Sequence, residues 1–168
     1  MILQKEFYTR PATDLAPMLL GKLLCRRVGD TVLRRRITET ECYFGEEDTA
    51  CHAHKGRTPR TETLYKEGGV AYVYLCYGIH ELFNVVTGEK DHPEAVLIRG
   101  IEKAEGPGRA TKSLGITRKF NSLPLTEESG LWLEDDGAHP EYTTHPRVGI
   151  GYASPEDQSR LWRFTVKK

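Results

Sequence analysis

Residues 70–101 read VAYVYLCYGIHELFNVVTGEKDHPEAVLIRGI, three runs of aliphatic and aromatic residues separated by two polar breaks. Runs rich in Val, Ile, Tyr and Phe, bounded by Gly, Pro and Asp, have the composition of strands. The three runs predict strands at 70–77, 80–87 and 94–101. Only Gly78-Ile79 separates the first two, so they are expected to fold back on each other as a tight hairpin. Upstream, KLLCRRV (22–28) and TVLRRRITETECY (31–43) meet at Gly29-Asp30, a second hairpin signal. In the longer run Val32, Arg34, Arg36 and Thr38 share one face, and Leu33, Arg35, Ile37 and Glu39 the other. Both faces mix charge with apolar residues, so this strand is not expected to be central along its whole length.

Around these strands the pattern predicts a short helix from Thr13 to Leu20, with Thr13 as N-cap and Gly21 as stop. A second helix is expected at Pro107–Leu114, and small strands at 131–133, 147–150 and 161–166. Residues 44–69 are polar and contain Pro59; they read as a long functional loop with one helical turn. No internal repeat or low-complexity linker divides the chain, so the expectation is α+β in a single domain, 1–168.

The 168 residues are 38% hydrophobic and 29% charged, the composition of a globular protein with a real core. The apolar stretches are too short to span a bilayer, and the N-terminus has no basic segment followed by an apolar run. A cytoplasmic protein without membrane partners is expected. The four cysteines, Cys25, Cys42, Cys51 and Cys76, have no paired C-x-x-C spacing, and free thiols fit better than disulfides. A zinc site from Cys42, Cys51, His52 and His54 matches no common ligand spacing, so no metal is expected. The charge balance, 24 basic against 24 acidic, argues against a generic nucleic-acid coat. Local sorting leaves a DNA enzyme open. Arg26, Arg27, Arg34, Arg35 and Arg36 cluster, as do Lys55, Arg57 and Arg60, then Arg109, Lys112, Arg118 and Lys119. Acids collect at Glu127, Glu128, Glu134, Asp135 and Asp136. Solvated faces of ordinary strands and helices account for part of this pattern.

Strand alternation places Glu39, Glu41 and Tyr43 on one face. Carboxylates are rarely buried unless paired or used, so the alternatives are an exposed edge or a site. Tyr72 and Tyr74 share a face, Tyr72 reading as core, whereas Tyr77 falls beside a turn and can project as a wedge. Arg99 interrupts the apolar run VLIRGI and needs an anion, for which Glu41 or Glu39 would serve.

Together these residues resemble the alkyladenine DNA glycosylase family, the 3-methyladenine or methylpurine DNA glycosylases. The likeness lies in ITETECYFGEEDTACHAHKGRTPR, VAYVYLCYGIHELFNVV, AVLIRGIE, GPGRATKSLGI, RVGIGYA and LWRFTV, in order along nearly the whole chain. FYTRPATDLAPMLLGKLL near the start also fits, and the chain looks like a bare catalytic domain. The resemblance implies a mixed, mostly antiparallel curved sheet flanked by short helices, of the formyltransferase C-terminal-domain type. It implies a monofunctional N-glycosylase that flips a damaged purine out of duplex DNA and hydrolyses its bond to deoxyribose without a cofactor. A monomer is expected, since gripping one nucleotide requires no symmetry.

In this resemblance Glu41 matches the base that activates water. Arg99 matches the residue that helps hold the water and keeps the carboxylate charged, and Val148 the residue whose main-chain carbonyl also binds it. Tyr43, His52 and Tyr74 match the walls around the extruded base, and Asn84 the pocket floor that crowds the exocyclic amine of guanine. Tyr77 matches the tyrosine that enters the gap in the duplex. Ile79, His80, Arg60, Arg109 and Lys112 are expected to touch DNA. Thr61, Glu67-Gly68-Gly69 and Ile79-His80 depart from the usual family residues and bear on DNA gripping and lesion range. A lyase-type mechanism would need a lysine in the matched motifs, and none holds that place. Two rival readings are a lesion- or RNA-binding module without chemistry, and an RNA-facing domain of the formyltransferase type.

Overall fold

Both hairpins form in the computed structural model, which describes residues 1–168. In chain order the elements are α1 (Ala12–Met18), β1 (Leu23–Val28), β2 (Thr31–Phe44), β3 (Ala71–Cys76), β4 (His80–Val86) and β5 (Glu94–Ile101). They continue with β6 (Ala104–Glu105), α2 (Pro107–Leu114), β7 (Leu131–Glu134), β8 (Tyr142–His145), α3 (Pro155–Ser159) and β9 (Arg163–Val166). The main sheet runs β3-β4-β5-β2-β1-β7; β6 adds to β5, β9 to β2 and β8 to β9. Every pairing is antiparallel.

The long strand β2 changes partners half-way. Thr31–Arg36 pairs with β1 and stays half-exposed, whereas from Ile37 onward β5 lies on one edge and β9 joins the other at Glu39–Glu41. Its mixed faces in the sequence reflect this: only the second half is central.

Alternation along β3–β5 sorts two cores. Val73, Phe83, Val85, Val96 and Ile98 face the main core with Leu15 of α1, Leu19 just after it and Leu114 of α2. Tyr72, Val86 and Ala95 face the other way and pack with Cys51, Ala53, Leu64 and Tyr65. The 44–69 loop is therefore ordered by burial of its own apolar residues, and it carries two single 3-10 turns, His52–Lys55 and Glu62–Tyr65, rather than one turn.

Three other expectations are corrected, and one helix is added. The first helix begins at Ala12 behind Pro11, not behind a Thr13 cap, because the Glu94 carboxylate of β5 accepts the Ala12 N–H at 2.7 Å. Residues 147–150 form no strand; Arg147 is buried there and Val148 turns its N–H to a side chain. The strand at that end is instead β8, paired with β9, and the 161–166 run is strand only from Arg163. Helix α3, capped by Ser154 with Pro155 at its first position, was absent from the pattern reading.

Charge sorting takes a specific form. The acids around β7 pair with the arginine run of β1–β2: Arg27–Glu127 at 3.6 Å, Arg34–Glu134 at 3.1 Å and Arg36–Asp136 at 2.8 Å. Lys22 joins them through Asp135 at 3.5 Å.

Candidate active site

Glu41 lies in the central half of β2, opposite Leu97 of β5 and Arg163 of β9. Two register shifts just before it, between Ile37 and Thr40, form an irregularity of the kind that re-aims side chains at sites. Gly100 faces this bulge: a Cβ there would stand 3.1 Å from Thr38 Oγ1. Glu41 has no solvent exposure. Its Oε2 accepts the Val148 N–H at 2.8 Å and its Oε1 the Tyr43 hydroxyl at 2.8 Å. Arg99 Nε stands 3.9 Å from Glu41 Oε2 and 3.5 Å from Glu39 Oε2, so the arginine of the apolar strand faces both acids. Burial pushes the Glu41 carboxyl above its ordinary range, against the pull of the Val148 amide, Arg99, the Tyr43 hydroxyl and Arg147.

Tyr43 rests on Arg147, whose guanidinium carbon lies 5.0 Å from the Tyr43 ring centroid and 5.0 Å from that of Trp162. The same guanidinium forms a buried bidentate pair with Asp48 at 2.7 and 3.0 Å and donates to the Cys42 carbonyl at 2.9 Å. Arg147 thus ties the loop carrying Val148 to the strand carrying Glu41 and Tyr43.

Across from Tyr43, the 3-10 turn at His52 sets its ring against Tyr74, centroids 4.5 Å apart. The Tyr72 hydroxyl shares a 2.8 Å hydrogen bond with His52 Nδ1. Burial, with Arg60 and Lys55 nearby, lowers His52 to about 4, so the imidazole is neutral at physiological pH. Asn84, on β4 between Tyr72 and Leu97, is buried and donates to the Tyr72 carbonyl at 3.2 Å. Tyr43, His52, Tyr72, Tyr74 and Asn84 line an inner recess of about 30 Å³. Beside it lies a cleft of about 660 Å³ that Glu41, Arg99 and Val148 also line.

The rim of the cleft comes from the β3–β4 turn. Tyr77 (φ 52°) and Gly78 (φ 72°) both have positive φ, and the Ile79 N–H closes the turn on the Cys76 carbonyl at 3.2 Å. This is the type I′ pattern. It leaves Tyr77 87% and Ile79 73% exposed. His80 packs on the start of α2, where a Cβ on Gly108 would meet its Nδ1 at 2.9 Å. Arg60 and Arg109 line the cleft and Lys112 is exposed on α2; unlike Arg27, Arg34 and Arg36, none of the three joins an ion pair.

All the sequence-derived residues except Asn84 and Lys112 therefore either line one cleft or stand on its rim, and Asn84 lines the adjoining recess. The reading missed Arg147 and Tyr152, both inside the quoted RVGIGYA block; Tyr152 lines the cleft and donates to the Ala50 carbonyl at 2.7 Å. It also took Tyr72 as packing alone and left Glu39 outside.

The family model described as methylpurine-DNA glycosylase (MPG) matches residues 6–168. The chain belongs to this family. Similar proteins carrying the name "putative 3-methyladenine DNA glycosylase" include one from Psychrobacter cryohalolentis, 43% identical over 90% of this chain and 86% of the relative. One from Borrelia garinii subsp. bavariensis is 40% identical over 98% and 96%, and one from Myxococcus xanthus 44% identical over 95% and 89%. A methylpurine-DNA glycosylase is a hydrolase of N-glycosyl bonds that serves base excision repair of DNA, and the cleft is its candidate catalytic centre. No helix is long and apolar enough to cross a membrane.

Proposed function

We propose that this glycosylase is a monofunctional, single-domain enzyme that flips alkylated or deaminated purines from duplex DNA, of the 3-methyladenine, 7-methylguanine and hypoxanthine type. Glu41 takes a proton from water as the water oxygen bonds to the anomeric carbon. The N-glycosidic bond breaks with its electron pair leaving on the base. The transition state has oxocarbenium character, so an anionic Glu41 also stabilises it electrostatically. Arg99 and the Val148 carbonyl orient the water, while the Val148 N–H holds the carboxylate.

The extruded base stacks against Tyr43 on one side and the His52–Tyr74 pair on the other. Aromatic stacking of about 1–3 kcal/mol per base offsets the few kcal/mol of extrusion. Tyr77 fills the gap in the duplex. Ile79, His80, Arg60, Arg109 and Lys112 contact the flanking DNA, and Asn84 crowds the amine of normal guanine. A cationic lesion leaves readily, which lets one carboxylate suffice, whereas a neutral base such as hypoxanthine also takes up a proton as it leaves. The chain works as a cytoplasmic monomer without metal or cofactor.

The observation that carries this reading is a fully buried carboxylate held by an amide, a hydroxyl and an arginine beside an aromatic-walled cleft. Single-turnover base release from alkylated duplex DNA tests it. Glu41→Gln is expected to abolish release while keeping lesion binding; unchanged release would remove Glu41 from the chemistry. Binding without release by the wild type would favour a lesion-binding module.

A further inference from the structure

We propose that Glu39 is a positioning residue for the reaction: it shares Arg99 with Glu41 and, through Arg163, sets how strongly that guanidinium commits to the catalytic carboxylate. This rests on the reading of Glu41 as the base. Arg99 Nε stands closer to Glu39 (3.5 Å) than to Glu41 (3.9 Å). Arg163 holds the same Glu39 oxygen from the other side at 3.0 Å, and its Nε donates to the Pro146 carbonyl at 2.8 Å. The order is therefore Glu41, Arg99, Glu39, Arg163: two acids and two guanidiniums alternating across β5, β2 and β9. All but Glu41 keep about a fifth to a quarter of their side-chain surface exposed.

The alternation has a chemical consequence. When Glu41 takes the proton of the water it ceases to attract Arg99. A guanidinium left without an anion in a half-buried site is unfavourable, and Glu39 remains as its partner. Before the reaction Glu39 acts in the opposite sense, competing for Arg99 and adding a like charge beside Glu41. The other groups around Glu41 are the Tyr43 hydroxyl, Arg147 with its partner Asp48, Tyr74 and Tyr152, while Glu105 and Arg109 line the same cleft. Arg99 is the only one of these that also pairs with Glu39.

The two ends of the row then tune Glu41 in opposite directions. Glu39→Gln removes the competing anion and gives Arg99 wholly to Glu41, so the acid limb of the single-turnover rate moves to lower pH. Arg163→Gln removes the nearer partner of Glu39, draws Arg99 away and moves the limb to higher pH. The substrate is duplex DNA carrying 7-methylguanine, a cationic base that leaves without protonation, so no leaving-group titration enters the limb, and His52 of the same cleft is common to all the variants. On the acid side of the wild-type limb, Glu39→Gln is expected to release base severalfold faster than wild type, with lesion affinity unchanged. The double variant returns the limb toward the wild-type position. Limbs that stay put, or that move the same way in both variants, overturn the inference even if Glu41→Gln is inactive. Should Arg163→Gln fold poorly, Glu39→Gln is isosteric and sufficient, and an unmoved limb in it alone is decisive. Base release surviving Glu41→Gln would instead sink the underlying reading.

Discussion

Tyr43 performs two tasks with one side chain. Its ring, seated on the Arg147 guanidinium, walls the cleft, and its hydroxyl donates to Glu41 at 2.8 Å. The two tasks separate by substitution. Tyr43→Ala removes the wall and is expected to weaken lesion binding by roughly 5- to 150-fold, the equivalent of about 1–3 kcal/mol of stacking. Tyr43→Phe keeps the ring, so binding should hold. It loses a hydrogen bond that favours the ionised carboxylate, and the acid limb of base release should therefore move to higher pH. Fluorescence-monitored DNA binding and a rate-against-pH series read the two effects. Equal losses of affinity in both variants would show that the hydroxyl, not the ring, carries binding. Glu41 and Tyr43 were legible as a pair from alternation, and Arg99 from its place in an apolar run. The Tyr72–His52 bond was not, because the partners lie twenty residues apart and meet only when the 3-10 turn packs on β3.

The β3–β4 hairpin shows the same logic at the level of an element. A type I′ turn wants Asn, Asp or Gly where φ is positive, yet Tyr77 occupies the first such position at φ 52°. A non-glycine residue in this region costs of order 1 kcal/mol, and at 87% exposure Tyr77 recovers little of it by packing. The ring is therefore kept for something outside the fold. Tyr77→Asn should raise the melting temperature slightly, since Asn tolerates the left-handed region, while lowering affinity for lesion-containing duplex. A drop in melting temperature with undiminished DNA binding would show the ring to be structural. The turn itself was legible from Gly78. The strain at Tyr77 follows from the Cys76–His80 register, which needs both hairpin strands in place.

Across the whole molecule, net charge zero conceals a division of labour. In the largest arginine cluster, on β1 and β2, Arg27, Arg34 and Arg36 are matched by acids around β7, whereas Arg60, Arg109 and Lys112 near the cleft carry no such partners. Phosphate contacts release counterions, so each lost contact reduces the slope of log affinity against log salt by about one. Arg109→Ala is expected to lower that slope by about one unit, and Arg34→Ala to leave it unchanged. A salt titration of duplex binding checks both; a slope lowered by Arg34→Ala and not by Arg109→Ala would place DNA across the β1–β2 face instead.

The sequence by itself determined strands β1 to β5, β7 and β9, both hairpins, helix α2 and the residue types of the site. These rest on local patterns: period-two alternation, Gly-containing turns, and a charged residue in an apolar run. Helix α3 is also locally encoded, in Ser154-Pro155-Glu156-Asp157, where a Ser cap precedes Pro and two acids. Tertiary structure alone decided where the chain took its caps and counterions. Glu94 replaced Thr13 as the N-terminal partner of α1, acids in and around β7 paired with Arg27, Arg34 and Arg36, and Val148 entered the site through its amide rather than as part of a strand. The reason is physical: a buried donor or charge must find a partner, but nothing in a linear pattern says which residue, tens of positions away, the fold will bring to it.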